Sequence, residues 1–401
     1  MENFSKYTKN FFFFNTTAWL LVKFWFSIIL FFEFARVVFI LSNYSLFVNA
    51  GVSESIKSMW HGLKMDMSMA AYLALPAGLI LIMYGFINLP ALKKIIKIYT
   101  SIILIILLLI LTADIFLFKA WGNRIDATPL KYFSNPQEVW ASISHLPVFW
   151  ISLLFVIIAI VLIIIIKFWI NNLFKLIAVS KKVIQVVILL ILMGALIIPL
   201  RGGLQLAPLN QSSVYFSDNN FANQAALNAP LNFMYSINHN ENNTENPFVV
   251  SSDSAIKITV ESLYANRGET EQFLDSTKRL NIILITWESF TGKVIDAKKN
   301  DIEITPGYNQ LKKEGVFFSN IYASGDRTDK GIVSILSGYP AFATTSIVKT
   351  PKKAASLQIL GRDFQKHNYS TAFYYGGEPE FANMKAYLMQ GGFKKFVTIK
   401  D

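Results

Sequence analysis

The segment Gly325-Asp-Arg-Thr-Asp-Lys-Gly331 sets Thr328 between two glycines, with Arg327 beside it and the apolar residues Ile332, Val333, Ile335 and Leu336 behind it. That spacing predicts a helix whose N-terminus carries the threonine. Backbone N–H groups without intrahelical partners, together with the positive end of the helix dipole, favour a phosphoryl group there. Phosphoryl transfer needs a nucleophile, a cation to neutralise the equatorial oxygens, and donors fixed in place. Thr328 is the candidate nucleophile, Arg327 the candidate cation, and the amides near Gly331 the candidate donors. Upstream, Glu288 follows the apolar run Asn281 to Thr286 and is a candidate metal ligand. A threonine hydroxyl is a poor nucleophile alone, so coordination to a metal is the activation that suits these residue types. Two plainer roles stay open: Glu288 as a solvated carboxylate at a strand end, and Thr328 as an N-cap, a common place for threonine.

The elements around these residues follow an α/β pattern from Leu280 onward. Ile282 to Thr286 is a continuous apolar run suited to a buried parallel strand, and Val316 to Phe318 is strand-like. Pro306 to Glu314 has a proline at a helix start and Gly315 at its end. After the helix that follows Thr328 come a helical stretch around Ser356 to Lys366 and a strand over Ser370 to Tyr375. Alternating strands and helices imply a sheet covered on both faces, with the site at the carboxyl ends of its strands.

The first half of the chain cannot belong to such a domain. Of 401 residues 53% are hydrophobic, 34 are Phe, and mean hydropathy is +0.41, too apolar for an ordinary soluble enzyme. The excess lies before Leu200, in five runs: Trp19 to Leu41, Met67 to Leu89, Ile98 to Phe118, Val148 to Lys167 and Val183 to Leu200. Each is long enough to cross a hydrocarbon core about 30 Å thick. The first is too long for a signal peptide, carries Lys23, Glu33 and Arg36, and lacks a small-residue cleavage site, so it is an anchor.

Lys6, Lys9, Lys93, Lys94, Lys97, Lys167, Lys175, Lys181 and Lys182 flank one side of the spans, against Lys57, Lys64, Lys119, Arg124 and Lys131 on the other. This bias puts the N-terminus in the cytoplasm, and five spans then export everything after Leu200. Glu33 and Arg36 are three apart and can neutralise one another or snorkel, while Asp66 and Asp114 read as interfacial. The excess of 37 basic over 26 acidic residues, +11, points to anionic lipid rather than nucleic acid. With no cysteine, disulfides, thiolate metal sites and a cysteine nucleophile are excluded. Three regions follow: residues 1–200 in the membrane, a polar linker over 201–279, and residues 280–401. Within the linker, Asn228 to Ile237 is spaced like a short amphipathic helix, to lie on the membrane or dock on the soluble domain.

Asn281-Ile-Ile-Leu-Ile-Thr-Trp-Glu-Ser289, Thr305-Pro306 through Leu311, Glu314-Gly-Val-Phe-Phe-Ser-Asn320, Gly325 to Gly331 and Leu336-Ser-Gly-Tyr-Pro340 form an ordered set that closely resembles the lipoteichoic acid synthase family. This is the sulfatase-like phosphoglycerol transferase branch of the alkaline phosphatase superfamily, whose members pair five N-terminal spans with an α/β domain. Arg201-Gly202-Gly203 with Pro208 to Ser217 resembles the juncture in its bacterial members. The resemblance implies a bacterial cytoplasmic-membrane enzyme and a divalent metal, usually Mn2+, with Mg2+ or Zn2+ as alternatives, held by the positions matching Glu288 and Thr328. It implies that Thr328 takes phosphoglycerol from phosphatidylglycerol, that diacylglycerol leaves, and that the group passes to an acceptor hydroxyl. Phosphoethanolamine transferases share the plan, but their exported domains usually carry disulfides. A membrane-anchored, non-catalytic lipid-binding or assembly protein is the reading from another class.

The chain departs from the family pattern in two places. The family completes its site with an Asp-His pair and later histidines, whereas the histidines here are His61, His145, His239 and His367, none after an aspartate. The α/β domain is therefore expected to be incomplete, and the 401-residue chain inactive alone. Polymer-making members also grip glycerophosphate with a histidine, a tryptophan and an arginine, where the matching positions here are Tyr375, Ala382 and Met384. Tyr375 can still donate a hydrogen bond to a headgroup, but Ala382 and Met384 cannot replace a bidentate arginine.

Overall fold

The computed structural model describes residues 16–83, 89–132, 144, 147–174, 182–238, 252–263, 265, 272, 275, 277–342, 346–399 and 401. Lys6, Lys9, Lys175, Lys181, His145 and His239 lie outside the described residues, as does the linker between His239 and Ser251. The chain forms two compact units, one of residues 1–240 with 324–401 and one of residues 241–323.

Among the described residues, five helices are long and apolar enough to cross a membrane, as expected. They are α1 (Thr16–Ser42), α3 (Val52–Ile82) after the short α2 (Tyr44–Ala50), α4 (Leu89–Trp121), and, past α5 (Thr128–Tyr132), α6 (Val148–Phe174) and α7 (Lys182–Ala195) continued by α8 (Ile197–Arg201). The second begins at Val52 rather than Met67. Its first turns bury Ser55, Ser58, Gly62 and Asp66 against other helices, so they need not be apolar. α1 packs on α3 and α4 on α6, around Leu21, Phe24, Phe32, Met65 and Leu107. α6 is the most apolar span and the least buried, leaving Phe149, Leu154 and Phe168 for lipid.

Asp66 and Asp114 are buried inside the protein, 0% and 1% exposed, and face other helices and not lipid headgroups. Asp66 pairs with Arg36 and accepts 2.7 Å from the Asn228 amide, while Arg36 donates 2.5 Å to the Ala225 carbonyl. Glu33, the partner expected for Arg36, also pairs with it, more loosely, at 3.8 Å. Asp114 pairs with Arg124 at 2.9 Å and accepts from the Ile125 amide at 2.7 Å, and the Arg124 guanidinium lies 3.9 Å from the Phe39 ring centre. Burying these charges is tolerable because each is paired and further hydrogen-bonded.

Two short helices cover this charged layer. α9 (Asn220–Ala226) is capped by the Asn219 side chain on the Ala222 amide at 3.1 Å. α10 (Ala229–Asn238) is the helix expected near Asn228, and it settles the choice between membrane surface and soluble domain differently from both. Leu231 and Met234 pack into the core of the membrane bundle, and Asn232 donates 2.7 Å to the Ile125 carbonyl.

The second unit holds α11 (Asp253–Leu263), an antiparallel pair β1 (Lys298–Lys299) and β2 (Ile302–Glu303), and α12 (Pro306–Glu314). Asn300 and Asp301 turn the hairpin with φ of 51° and 61°, which suits these residue types. Ile282 to Thr286 and Val316 to Phe318 are not strands. A parallel strand needs ladder partners and cover on both faces, and no described residue supplies either, so Ile283 is 86% exposed and Ile285 80%.

Residues 324–401 begin with α13 (Thr328–Ser337), then α14 (Pro351–Ala354), α15 (Leu360–Lys366), β3 (Ala372–Tyr374), α16 (Met384–Gln390) and β4 (Lys395–Val397). β3 and β4 are parallel, with Ala372 opposite Lys395 and Tyr374 opposite Val397, and α16 lies between them in sequence. This is the βαβ connection expected of an α/β chain. Val333, Leu336, Ile359, Tyr387 and Leu388 form its core, closed by Phe373 and Phe396.

Candidate functional site

Thr328 is the first helical residue of α13, and Arg327, in extended backbone, is the N-cap. The N-cap role for Thr328 is thereby set aside, since the cap position is Arg327. The Arg327 carbonyl accepts from the amides of Lys330 and Gly331 at 3.1 and 2.9 Å, which holds the first turn. Gly325 is required by close approach, since a β-carbon there would sit 2.8 Å from the Lys330 β-carbon and 3.2 Å from that of Ala341. One turn along the helix from Thr328, a β-carbon at Gly331 would meet nothing within 4 Å, so that face is open.

Lys330 fixes the turn from below. Its ammonium is 2.8 Å from an Asp326 carboxylate oxygen, and that hydrogen bond holds the Asp326 carboxyl below the usual carboxylate range. Asp329 is buried in the first turn, where a negative charge opposes the helix dipole favourably, and its carbonyl accepts 2.9 Å from the Ser346 hydroxyl. The loop is thus clamped at Gly325, Asp326, Asp329 and Lys330, while Arg327 is exposed and Thr328 half-buried.

Tyr375 lies in the same folded segment as Thr328. Its amide donates 2.8 Å to Val397, its ring stands 6.1 Å from that of Phe373, and both rings close the core on which α13 packs. Ala382 and Met384 do different work from a substrate grip. Ala382 and Asn383 take φ of 50° and 63°, and Met384 is 1% exposed in the core. Glu288 belongs to the other unit, exposed in a turn where the Phe290 amide meets the Trp287 carbonyl at 3.4 Å and Ser289 has φ of 61°. His367 ends α15, exposed, with Nδ1 2.8 Å from the Asp363 carbonyl, consistent with a surface histidine.

The sequence does not announce what ties residues 378–394 to the membrane bundle. Beyond α8 the chain runs through Leu204 to Tyr215, and this stretch is hydrogen-bonded to the start of α16. Glu378 accepts from the Ala207 amide at 3.1 Å, Asn210 donates to the Glu380 carbonyl at 2.6 Å, and the Ala386 amide donates to the Ser212 hydroxyl at 3.0 Å. Asn383, turned by its left-handed backbone, accepts from the Ser212 amide at 3.3 Å. Lys352 sits 4.5 Å from the Trp121 ring centre, at the end of α4. These contacts gather where α4 ends and α8 releases the chain, so residues 324–401 cap that end of the bundle. The only advance signals were the resemblance of Pro208 to Ser217 to a juncture and the run of small polar residues there.

Residues 280–400, which include every candidate residue above, match the family model described as sulfatase. This segment is what the chain has in common with the sulfatase family. Over 153 residues it is 26% identical to the lipoteichoic acid synthase-like YvgJ of Bacillus subtilis (strain 168), and the shared stretch covers 37% of this chain and 24% of that protein. The chain thus spans about a quarter of that relative's length in the match. The expected resemblance to the lipoteichoic acid synthase family stands, as does the pairing of five spans with a sulfatase segment. No solved structure matches.

The superfamily generally depends on a divalent metal. Carboxylate and hydroxyl oxygens, as on Glu288 and Thr328, suit a hard cation. Two donors do not make a centre, and among the described residues no three His, Cys, Asp or Glu side chains cluster. The described residues therefore do not fit a complete metal site, and no chemical step is derived through one.

Proposed function

We propose that this protein is a membrane-bound phosphotransferase that moves the phosphoglycerol group of phosphatidylglycerol to an acceptor hydroxyl through a phosphothreonine at Thr328. The observation that carries the reading is Thr328 as the first residue of a ten-residue helix inside the sulfatase match, on a turn held by Gly325, Asp326 and Lys330. The helix N-terminus and Arg327 attract the phosphodiester, and the open face at Gly331 leaves it room. The Thr328 oxygen forms a bond to phosphorus as the bond from phosphorus to the diacylglycerol oxygen breaks, and the hydroxyl proton ends on the departing oxygen. An acceptor hydroxyl then reverses the exchange: its oxygen bonds to phosphorus, the bond to Thr328 breaks, and the proton returns to the threonine. Glu288 is proposed as a metal-ligand position on the strength of its motif, with manganese the expected ion, and Tyr375 as a headgroup contact.

The capped end of the bundle supports a lipid donor, because residues 324–401 are held where the last span leaves the membrane. The N-terminus is proposed to be cytoplasmic and the sulfatase segment outside the cytoplasmic membrane. Membranes containing the protein, given phosphatidylglycerol or phosphatidylethanolamine with labelled headgroups, test this by mass spectrometry of the Thr328 peptide. A phosphoglycerol adduct that disappears in Thr328→Ala is expected. An undiminished adduct in that variant refutes the nucleophile, and a phosphoethanolamine adduct replaces the donor.

A further inference from the structure

Between Asp329 and Asp363 the sequence holds five basic residues and no acidic one. Two of the five are engaged inside the fold: Lys330 pairs with Asp326 at 2.8 Å, and Arg362 donates 2.6 Å to the Gln390 carbonyl and 3.1 Å to that of Ala355. The other three, Lys349, Lys352 and Lys353, fall within five residues and are all exposed. The cause is local. Ile347–Lys349 is a single tight turn, and Pro351 opens α14, whose first turn is closed by the Lys353 and Ala354 amides on the Thr350 carbonyl at 2.9 and 3.0 Å. Val348 and Ala354 are buried in the core that also holds Val333 and Leu336 of α13, which leaves the three lysines outside.

This basic edge is held in place at two points. The Lys352 ammonium lies 4.5 Å from the centre of the Trp121 ring, and Trp121 is the last residue of the span α4. A tryptophan at a span end sits at headgroup level, so the cation stacked on it lies at that depth. An uncharged feature at the same end of the bundle agrees. Arg201, the last residue of the final span, donates 2.6 Å to the Gln205 carbonyl and 2.8 Å to that of Leu206, and the loop so held presents Leu204 and Leu206 at 84% and 86% exposure, which suits lipid. On its other side the edge is tied to the candidate nucleophile. The hydroxyl of Ser346, at the start of the tight turn, donates 2.9 Å to the carbonyl of Asp329, the residue after Thr328.

We propose that Lys349, Lys352 and Lys353 form a docking edge for the headgroups of anionic phospholipids and gather those lipids beside the turn at Thr328. The occupant follows from position as well as charge: an edge stacked on the end of a membrane span meets headgroups first. Each lysine near a membrane surface favours anionic lipid about fivefold, the equivalent of about 1 kcal/mol. An ammonium acts as a point charge on a flexible stem, so the edge selects negative charge and not headgroup shape. The inference rests on the reading of the long helices as membrane spans and is independent of chemistry at Thr328.

The test uses the whole protein in nanodiscs of mixed phosphatidylcholine and phosphatidylglycerol. The chain has no cysteine, so Ser356→Cys, at an exposed position three residues past Lys353, takes a single fluorophore. Its quenching is read with a doxyl group placed high on the chains of one lipid and then of the other, at unchanged composition. Labelled phosphatidylglycerol is expected to quench about fivefold more strongly or better, and less so at about 1 M salt, where the screening length falls to about 3 Å. Replacing all three lysines by glutamine should make the two lipids quench equally. Equal quenching in the parent protein overturns the proposal, as does an undiminished preference in the triple variant. Quenching by neither lipid overturns it too, and places the edge in solvent or on a soluble polyanion. The lipid comparison and the salt series need no lysine substitution, so they decide the matter even if the triple variant does not fold. Thr328→Ala should keep the enrichment while losing the adduct. Enrichment without any adduct in the parent sinks only the phosphothreonine, and an adduct without enrichment sinks only the docking edge.

Discussion

Replacing Asp66 by alanine tests whether the charged layer under α9 and α10 is a structural joint. Arg36 is 3% exposed and Asp66 0%, so removing the carboxylate leaves a guanidinium buried with the Ala225 carbonyl and only the looser 3.8 Å pair with Glu33. It also leaves the Asn228 amide without its acceptor. Breaking one partner out of a buried pair costs roughly 3–5 kcal/mol, whereas removing both charges together can be nearly neutral. Asp66→Ala is therefore expected to cost about 3–5 kcal/mol, and Arg36→Met with Asp66→Ala together less than the sum of the single changes, by up to about 3 kcal/mol. Gly62 provides an independent route to the same loss, because a β-carbon there would occupy the space of the Arg36 guanidinium. Gly62→Ala should thus destabilise the protein strongly and add little once Arg36 is methionine. Unfolding in mixed detergent micelles, followed by α-helical circular dichroism, measures all five variants, Arg36→Met alone included. An Asp66→Ala cost within about 0.5 kcal/mol of zero, the range of ordinary surface changes, would refute the joint.

The turn at Thr328 and the juncture at Tyr215 each give a sharper, smaller test. Gly325→Ala should cost about 1–3 kcal/mol by overpacking against Lys330 and Ala341, while Gly331→Ala should be neutral or raise stability by up to about 1 kcal/mol through helix propensity; thermal unfolding separates them by sign. Tyr215 is 1% exposed, and burial pushes its phenol well above the usual tyrosine range. The raised value means its contribution is complete below the unfolded tyrosine pKa of about 10 and is lost as pH rises beyond it. Alkaline unfolding should accordingly begin later in Tyr215→Phe than in the parent once its lost hydrogen bond to Gln224, 3.2 Å, is subtracted at neutral pH.

How legible this was depended on whether an element stabilises itself. The five spans and α13 could be read because lipid, or a local 3.6-residue pattern with a glycine punctuating each end, dictates them. The strand assignments at Ile282 and Val316 failed because a strand is defined by neighbours, and the described residues give these runs none. The ion pairs of Asp66 and Asp114 went unread for a related reason: hydropathy scores a charge by its sequence position and cannot see an arginine thirty residues away or ten residues along. Ala382 and Met384, compared with an expected substrate grip, are instead a left-handed turn and a core residue. Their positions serve the contact between Asn383 and Ser212.

That contact joins the two halves of the reading. Ser212 takes part in two hydrogen bonds to residues 383–386, accepting from one backbone amide and donating its own to the Asn383 side chain, within a stretch that also carries the buried Tyr215. The same stretch follows, by a few residues, the Arg201 loop at the end of the last span. A displacement of the last span therefore reaches α16 through hydrogen bonds rather than through a flexible tether, and α16 shares its core with α13, the helix that begins at Thr328. The position of the candidate nucleophile relative to the end of the last span is thus set by the hydrogen-bonded backbone between them. An enzyme acting on a phosphate at fixed depth needs that geometry, and one acting on a soluble phosphodiester does not.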